Sequence, residues 1–224
     1  MNGDAGWRFQ TDGIVLAKIT NPDANPKRWI ISQYKVPFYF RDSLGNEMSF
    51  GIPQESKSSW IYISGLDYAR VEGNRYLLAA RTPSSKHEDF SKWEFRTADS
   101  WTKDFHKARR LCDHVGAELS VTQVKGLNRH FLVTTENGLS DRILLRSSTN
   151  PWGPWSPSVT LLRAPEPRRD RTLFCYAAKS HPELSTSNDE MVVSYICNTV
   201  ELHKLTQNPH LYVPEFFTVR FEKN

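Results

Sequence analysis

Hydrophobic positions along the chain fall in short runs separated by polar stretches rich in Pro, Asn, Asp and Ser, a pattern that predicts strands almost throughout. Ile14 to Ile19 and Trp29 to Tyr34 are strand-like and flank the turn-rich segment NPDANPK. Val36 to Phe40, Met48 to Ile52, Trp60 to Ser64, Arg75 to Arg81 and Trp93 to Arg96 complete a first series. A second runs through Glu118 to Val124, His130 to Thr135, Ile143 to Ser147 and Trp155 to Leu162. Helical periodicity is thin. Lys103 to His114 has an apolar face of only Phe105, Ala108, Leu111 and Cys112, too narrow to anchor a firm helix.

The third series opens with the most unusual stretch, Tyr176 to Ser185 (YAAKSHPELS), followed by the apolar run Met191 to Cys197. Thr186-Ser187-Asn188-Asp189 between them is a turn cluster, so the unit reads as an antiparallel hairpin. Period-2 spacing then sets Lys179, His181 and Glu183 on one face of its first strand. The last strand expected is Phe216 to Phe221.

Laid side by side, the series repeat. From Met48 onward the first series, like the second, gives four strand-like segments and closes on Trp, at Trp93 and Trp101 in the first and at Trp152 and Trp155 in the second. A period of roughly 40–60 residues with four strands per unit is the signature of propeller blades. A β-sandwich is the competing all-β architecture, but it gives no reason for a recurring unit closed by Trp.

Composition narrows the rest. A chain of 224 residues with 38% hydrophobic residues suffices for one sizeable domain, and it has no uninterrupted apolar run of membrane-spanning length. A net charge of +4, with Lys and Arg scattered among Asp and Glu, describes a solvated surface and not a nucleic-acid footprint. Arg163 to Arg171, interrupted by Pro165 and Pro167, reads as an exposed loop. Three cysteines show no metal spacing. Cys175 and Cys197 can face each other across the hairpin and leave Cys112 free, although reduced, buried thiols are the plainer reading. The 27 aromatic residues, 7 Trp, 8 Tyr and 12 Phe, fill the spaces between sheets or stack on sugar rings.

Ser49-Phe50-Gly51, Trp60 to Ile63, Leu78 to Pro83 and Trp93 to Phe95 follow one another in an order that resembles five-bladed propellers of the glycosidase type, the arabinanase and β-xylosidase clan. Ala117 to Val121 and Ser147 to Trp155 look like the next blade. Lys179 to Ser185, with Ser194, Tyr195 and Asn198, is similar to the last blade of a secreted propeller family of unassigned function. The likeness runs from about Trp7 onward. It implies a single propeller domain over residues 1–224, with inner strands near Ser49 to Ile52, Ala117 to Val121 and Ala177 to Glu183, and a secreted setting. About three full blades are countable, and nothing before Ser49 matches the strand that carries the clan's general-base Asp. The expectation is therefore a partial propeller that lacks its N-terminal blade or blades and whose open edges favour self-association.

Glycoside hydrolysis needs two carboxylates in different protonation states. The clan's inner-strand Glu corresponds to Glu118, whose small and apolar neighbours Val115-Gly116-Ala117 suit a general acid; a structural carboxylate capping a neighbouring backbone is the equal alternative. His181 and Glu183 join it as catalytic candidates, or else form a hydrogen-bonded pair that locks the strand. Lys179, Arg81, Tyr176 and Tyr195 are the ligand-binding candidates, with Arg81 equally suited to a salt bridge between blades. No metal set, Gly-rich phosphate loop or G-x-S-x-G elbow is present, so no cofactor is expected. The reading is a carbohydrate-active propeller that binds or hydrolyses a glycan in a central pocket. The alternative is a propeller that serves only in binding or interaction.

Overall fold

The computed structural model describes residues 11–54 and 59–222; Met1 to Gln10, including Trp7 where the resemblance begins, lie outside the described residues. The architecture is all-β and propeller-like, a succession of curled antiparallel meanders packed face to face. A hairpin of β1 (Ile14–Ile19) and β2 (Ile31–Val36) comes first. A six-stranded sheet follows, in sequence order β3 (Tyr39–Arg41), β4 (Glu47–Pro53), β5 (Trp60–Ala69), β6 (Asn74–Pro83), β7 (Glu94–Arg96) and β8 (Trp101–Thr102). The next sheet holds β9 (Leu119–Val124), β10 (Arg129–Thr135), β11 (Arg142–Ser148) and β12 (Val159–Arg163). The last holds β13 (Leu173–His181), β14 (Glu190–Thr199) and β15 (Glu215–Arg220).

Alternation along the strands explains the stacking. On β10, Leu132 points into a core shared with Leu77, Leu119 and Val121, while Phe131 and Val133 point into the opposite core with Cys175, Met191, Val193 and Tyr195. The four-stranded sheet is therefore buried on both faces, which is why β10 and β11 read as continuous apolar runs. On β6, Leu77 serves one face, and Leu78 and Ala80 serve the other. That other face of the six-stranded sheet is built from rings: Phe95 lies 4.7 Å from Phe38 and 4.8 Å from Phe50, centroid to centroid, with Trp93, Phe90 and Phe105 around them. Glycine is required where loops come closest. A Cβ on Gly126 would sit 2.6 Å from the Asn188 carbonyl oxygen, to which the Gly126 N–H donates at 2.8 Å.

Two expectations are corrected, and a third, the weakness of any helix over Lys103 to His114, holds. Cys175 and Cys197 are directly opposite in the β13–β14 register and form a disulfide, where reduced thiols were the plainer reading. Opposed positions bring the two Cβ atoms within bonding reach, and only Cys112 is free. The segment Lys103 to His114 holds just a 3-10 turn at Phe105–Lys107, because its later residues extend alongside β6, with Leu77 bridged to Cys112. Finally, Glu183 is not on the strand: Pro182 cannot donate to a ladder, and Pro182–Leu184 forms a 3-10 turn beyond the end of β13.

Candidate functional site

The candidate site grows from an irregularity in β13. Its pairing with β14 slips by one residue between Tyr176 and Lys179, and Ala177 occupies the left-handed region at φ 56°. This is a bulge, and its extra residue inverts the side-chain alternation. Cys175, Ala178 and Ser180 all turn toward the four-stranded sheet, so Tyr176, Lys179 and His181 emerge on the opposite face. Without the bulge, Lys179 and His181 would share the face of Cys175 and point into the core.

Hydroxyls join β13 to β9 where no ladder does. Ser180 Oγ is 2.5 Å from Thr122 Oγ1 and 2.9 Å from Ser120 Oγ, and the Ser180 N–H donates to Ser120 Oγ at 2.8 Å. The Ala178 N–H donates to Thr135 Oγ1 at 3.2 Å. Beyond this seam, between Thr122–Val124 and Pro182–Met191, lies a cleft of about 700 Å³. Its lining mixes polar side chains, Thr122, Gln123, Glu183, Ser185, Asn188 and Glu190 among them, with the apolar Val124, Pro182 and Met191. Glu190 is buried, and it accepts the Thr186 N–H at 2.5 Å and the Thr186 hydroxyl at 2.8 Å. Those donors, the backbone N–H first, hold its carboxyl below the usual range.

Glu183 stands at the rim of the cleft. His181 Nδ1 lies 3.1 Å from Glu183 Oε1, and His181 Nε2 lies 2.7 Å from Ser194 Oγ. A carboxylate only accepts, so Nδ1–H is the donor to Glu183, and Nε2 shares the remaining hydrogen bond with the Ser194 hydroxyl. The backbone N–H of Glu183 and then His181 keep the Glu183 carboxyl below its ordinary range. Both carboxylates of the cleft are thus held ionised at neutral pH.

The other sequence candidates fall elsewhere. Lys179 is exposed opposite Ser194, on the strand face of His181. Glu118 lies at the bend ahead of β9, half-buried, close enough for its charge to act on Tyr176. With Ser120 level with Ser180, three residues of strand, about 10 Å, separate Glu118 from His181. Tyr176 has its hydroxyl 3.4 Å from that of Tyr212; burial, then this neighbour, push its phenol upward. Tyr195 is on the core face, and its hydroxyl donates to Glu166 Oε1 at 3.1 Å. Arg81 lies in the six-stranded sheet, bonded to Glu94 at 2.8 Å and 2.9 Å and sandwiched between the indoles of Trp60 and Trp101, each 4.3 Å away. The structure thus joins His181 with Glu183, sets Lys179 beside them, pairs Glu118 with Tyr176, and leaves Tyr195 and Arg81 apart. Glu190, Asn188, Ser194 and the Ser/Thr seam were not foreseen; the repeated hydroxyls of LSVTQV and AKSH are the sequence signal that marks the seam.

An all-β, propeller-like fold with a cleft between β9 and the β13–β14 connection is the class of protein that fold and site define. More particularly, the chain belongs to the family described as Domain of unknown function (DUF5005), whose model matches residues 1–221. No curated protein matches it. Among solved structures, a "putative hydrolase" from Bacteroides ovatus ATCC 8483 is similar, with a TM-score of 0.55 and 22% identity over 74% of this chain. The match spans 43% of that protein, less than half its length, and at this identity the likeness shows the fold alone.

Proposed function

We propose that the domain binds a glycan in the cleft between Thr122–Val124 and Pro182–Met191. The observation that carries this reading is the lining: hydroxyl, amide and ionised carboxylate groups in a cavity of about 700 Å³, room for a few sugar rings. Sugar hydroxyls donate and accept at once. Glu183 and Glu190 offer acceptors, Gln123 and Asn188 offer both, and the exposed ring of Pro182 gives an apolar patch for the sugar's C–H face. His181 works one step back, orienting Glu183 while the Ser194 hydroxyl fixes the imidazole.

The hydrolase description of the Bacteroides ovatus neighbour admits a catalytic variant of this reading, but binding is favoured. A general acid must hold its proton near neutral pH, and both Glu183 and Glu190 are shifted the other way. An array of plant and microbial oligosaccharides, followed by calorimetry on the best binder, tests the proposal. Glu183→Gln keeps shape but removes a charged acceptor, and it should weaken binding about tenfold, the worth of one charge-assisted hydrogen bond. An array with no bound glycan, or a Glu183→Gln titration identical to wild type, would refute the assignment.

A further inference from the structure

A second concavity lies on the six-stranded sheet, along β4 and β5, with a volume of about 590 Å³. Three arginines, Arg41, Arg70 and Arg75, line it against one carboxylate, Glu47, and Ser49 adds a hydroxyl-bearing side chain. Ala117, in the loop ahead of β9, forms the wall contributed by the next sheet.

Arg41 is paired with Glu47, while no carboxylate among the described residues pairs with Arg70 or Arg75. Arg75 stacks over the Tyr68 ring at 4.4 Å, and its Nη1 donates to the Asn137 carbonyl of the neighbouring sheet. Arg41 Nη1 is 3.3 Å from Glu47 Oε1, yet this buried nitrogen has no hydrogen-bond acceptor among the described residues. The Arg70 N–H is fixed by Asn46 Oδ1 at 2.9 Å. Its side chain lies across the turn at Gly45, where an added Cβ would come within 2.9 Å of Arg70 Cδ and Nη1. Among the described residues, the Arg70 guanidinium has no carboxylate or hydrogen-bond partner. Like charges gathered in a concave site repel one another, and an anion that enters relieves the repulsion while satisfying the open donors. The planar fork of arginine matches two oxygens of one oxyanion.

We infer that this groove is a second ligand site, which takes a saccharide bearing an oxyanion: the carboxylate of a uronic acid or a sulfate ester. Only the saccharide nature of the ligand rests on the glycan reading above; the groove and its charge are separate from the cleft. The test is calorimetry of the full chain with four probes: trigalacturonate, its methyl ester, a sulfated oligosaccharide of the same length, and inorganic sulfate. Trigalacturonate or the sulfated oligosaccharide should bind, whichever of the two distinguishing the source of the oxyanion, and the methyl ester at least tenfold more weakly. Arg70→Ala should reduce that binding at least tenfold and Arg70→Lys by less, with circular dichroism unchanged. Glu183→Gln should leave it intact, so that failure of the cleft and failure of the groove read out separately. Equal binding of ester and acid, no response to Arg70→Ala, or binding of inorganic sulfate alone would overturn the inference.

Discussion

The two concavities make an instructive pair. The groove on the six-stranded sheet is cationic, and its side chains are held by rings and backbone carbonyls: Arg75 on Tyr68, with the Phe38–Phe50–Phe95 cluster behind the same sheet. The cleft at the other end carries ionised carboxylates, and its side chains are held by hydroxyls, a bulge and a disulfide. Aromatic packing fixes a surface from beneath and leaves its charges open. A polar seam fixes a surface from the side and uses up donors as it does so. The first end should therefore be sensitive to volume, and the second to covalent and hydrogen-bond chemistry.

Removing a ring gives the largest expected effect. Phe95 has no exposed surface and touches three other rings, so Phe95→Ala should cost about 3–5 kcal/mol in denaturant unfolding. A loss below about 1 kcal/mol would mean that the ring cluster is not what supports the arginine groove. Next comes the disulfide. Replacing both Cys175 and Cys197 by Ala frees a loop with a sequence separation of 22 and should cost about 3 kcal/mol, seen as an equal drop on adding reductant to wild type. If reductant leaves the unfolding midpoint unmoved, the contrast between the two ends fails on its covalent side.

Smaller is the bulge. Ala177→Val puts a β-branched residue at φ 56° and should cost about 1–2 kcal/mol more than alanine does there, while Ala177→Gly should not destabilise by that amount. The smallest effect is electrostatic. Lys204 first, then Thr172, hold the Asp170 carboxyl at about 2. A folded pKa below the unfolded value near 3.9 stabilises the protein above about pH 4, and that contribution disappears as pH falls toward 2. An acid titration of Asp170→Asn should show a shallower loss of stability across that window than wild type, and a superimposable curve would remove Asp170 from the account.

How far the molecule was legible in its sequence depended on which forces act locally. Ile14–Ile19 was read with its observed bounds, and Met48 to Ile52, Arg75 to Arg81 and His130 to Thr135 lie within a residue or two of the observed strands. Apolar alternation and turn residues are local signals, and a strand obeys them wherever it sits. Trp60 to Ser64 covers half of the observed strand; in its second half Gly65 makes room for Phe50 and Asp67 is bonded by Arg110 at 2.7 Å, both of which only the folded sheet shows. The site was harder. Counting by twos from Lys179 put Glu183 on the strand, whereas Pro182 turns the chain. The same counting gave no hint of the bulge at Ala177, since alanine carries no mark of a left-handed conformation. His181 beside Glu183 was legible because they lie two positions apart; Arg41, Arg70 and Arg75 come to one groove only through the sheet, and nothing in their spacing announces it.

Cys112 has a bearing on how the molecule survives oxidation and reduction. Burial pushes its thiol up to about 12, so near neutral pH it stays protonated and little of the thiolate that disulfide exchange requires is formed. It lies along β6, in the core between the six-stranded and four-stranded sheets, while the Cys175–Cys197 bridge lies in the next core along. A native chain therefore holds its own third sulfur in reserve without letting it scramble the bridge, and mispairing becomes chemically accessible only once the cores have opened.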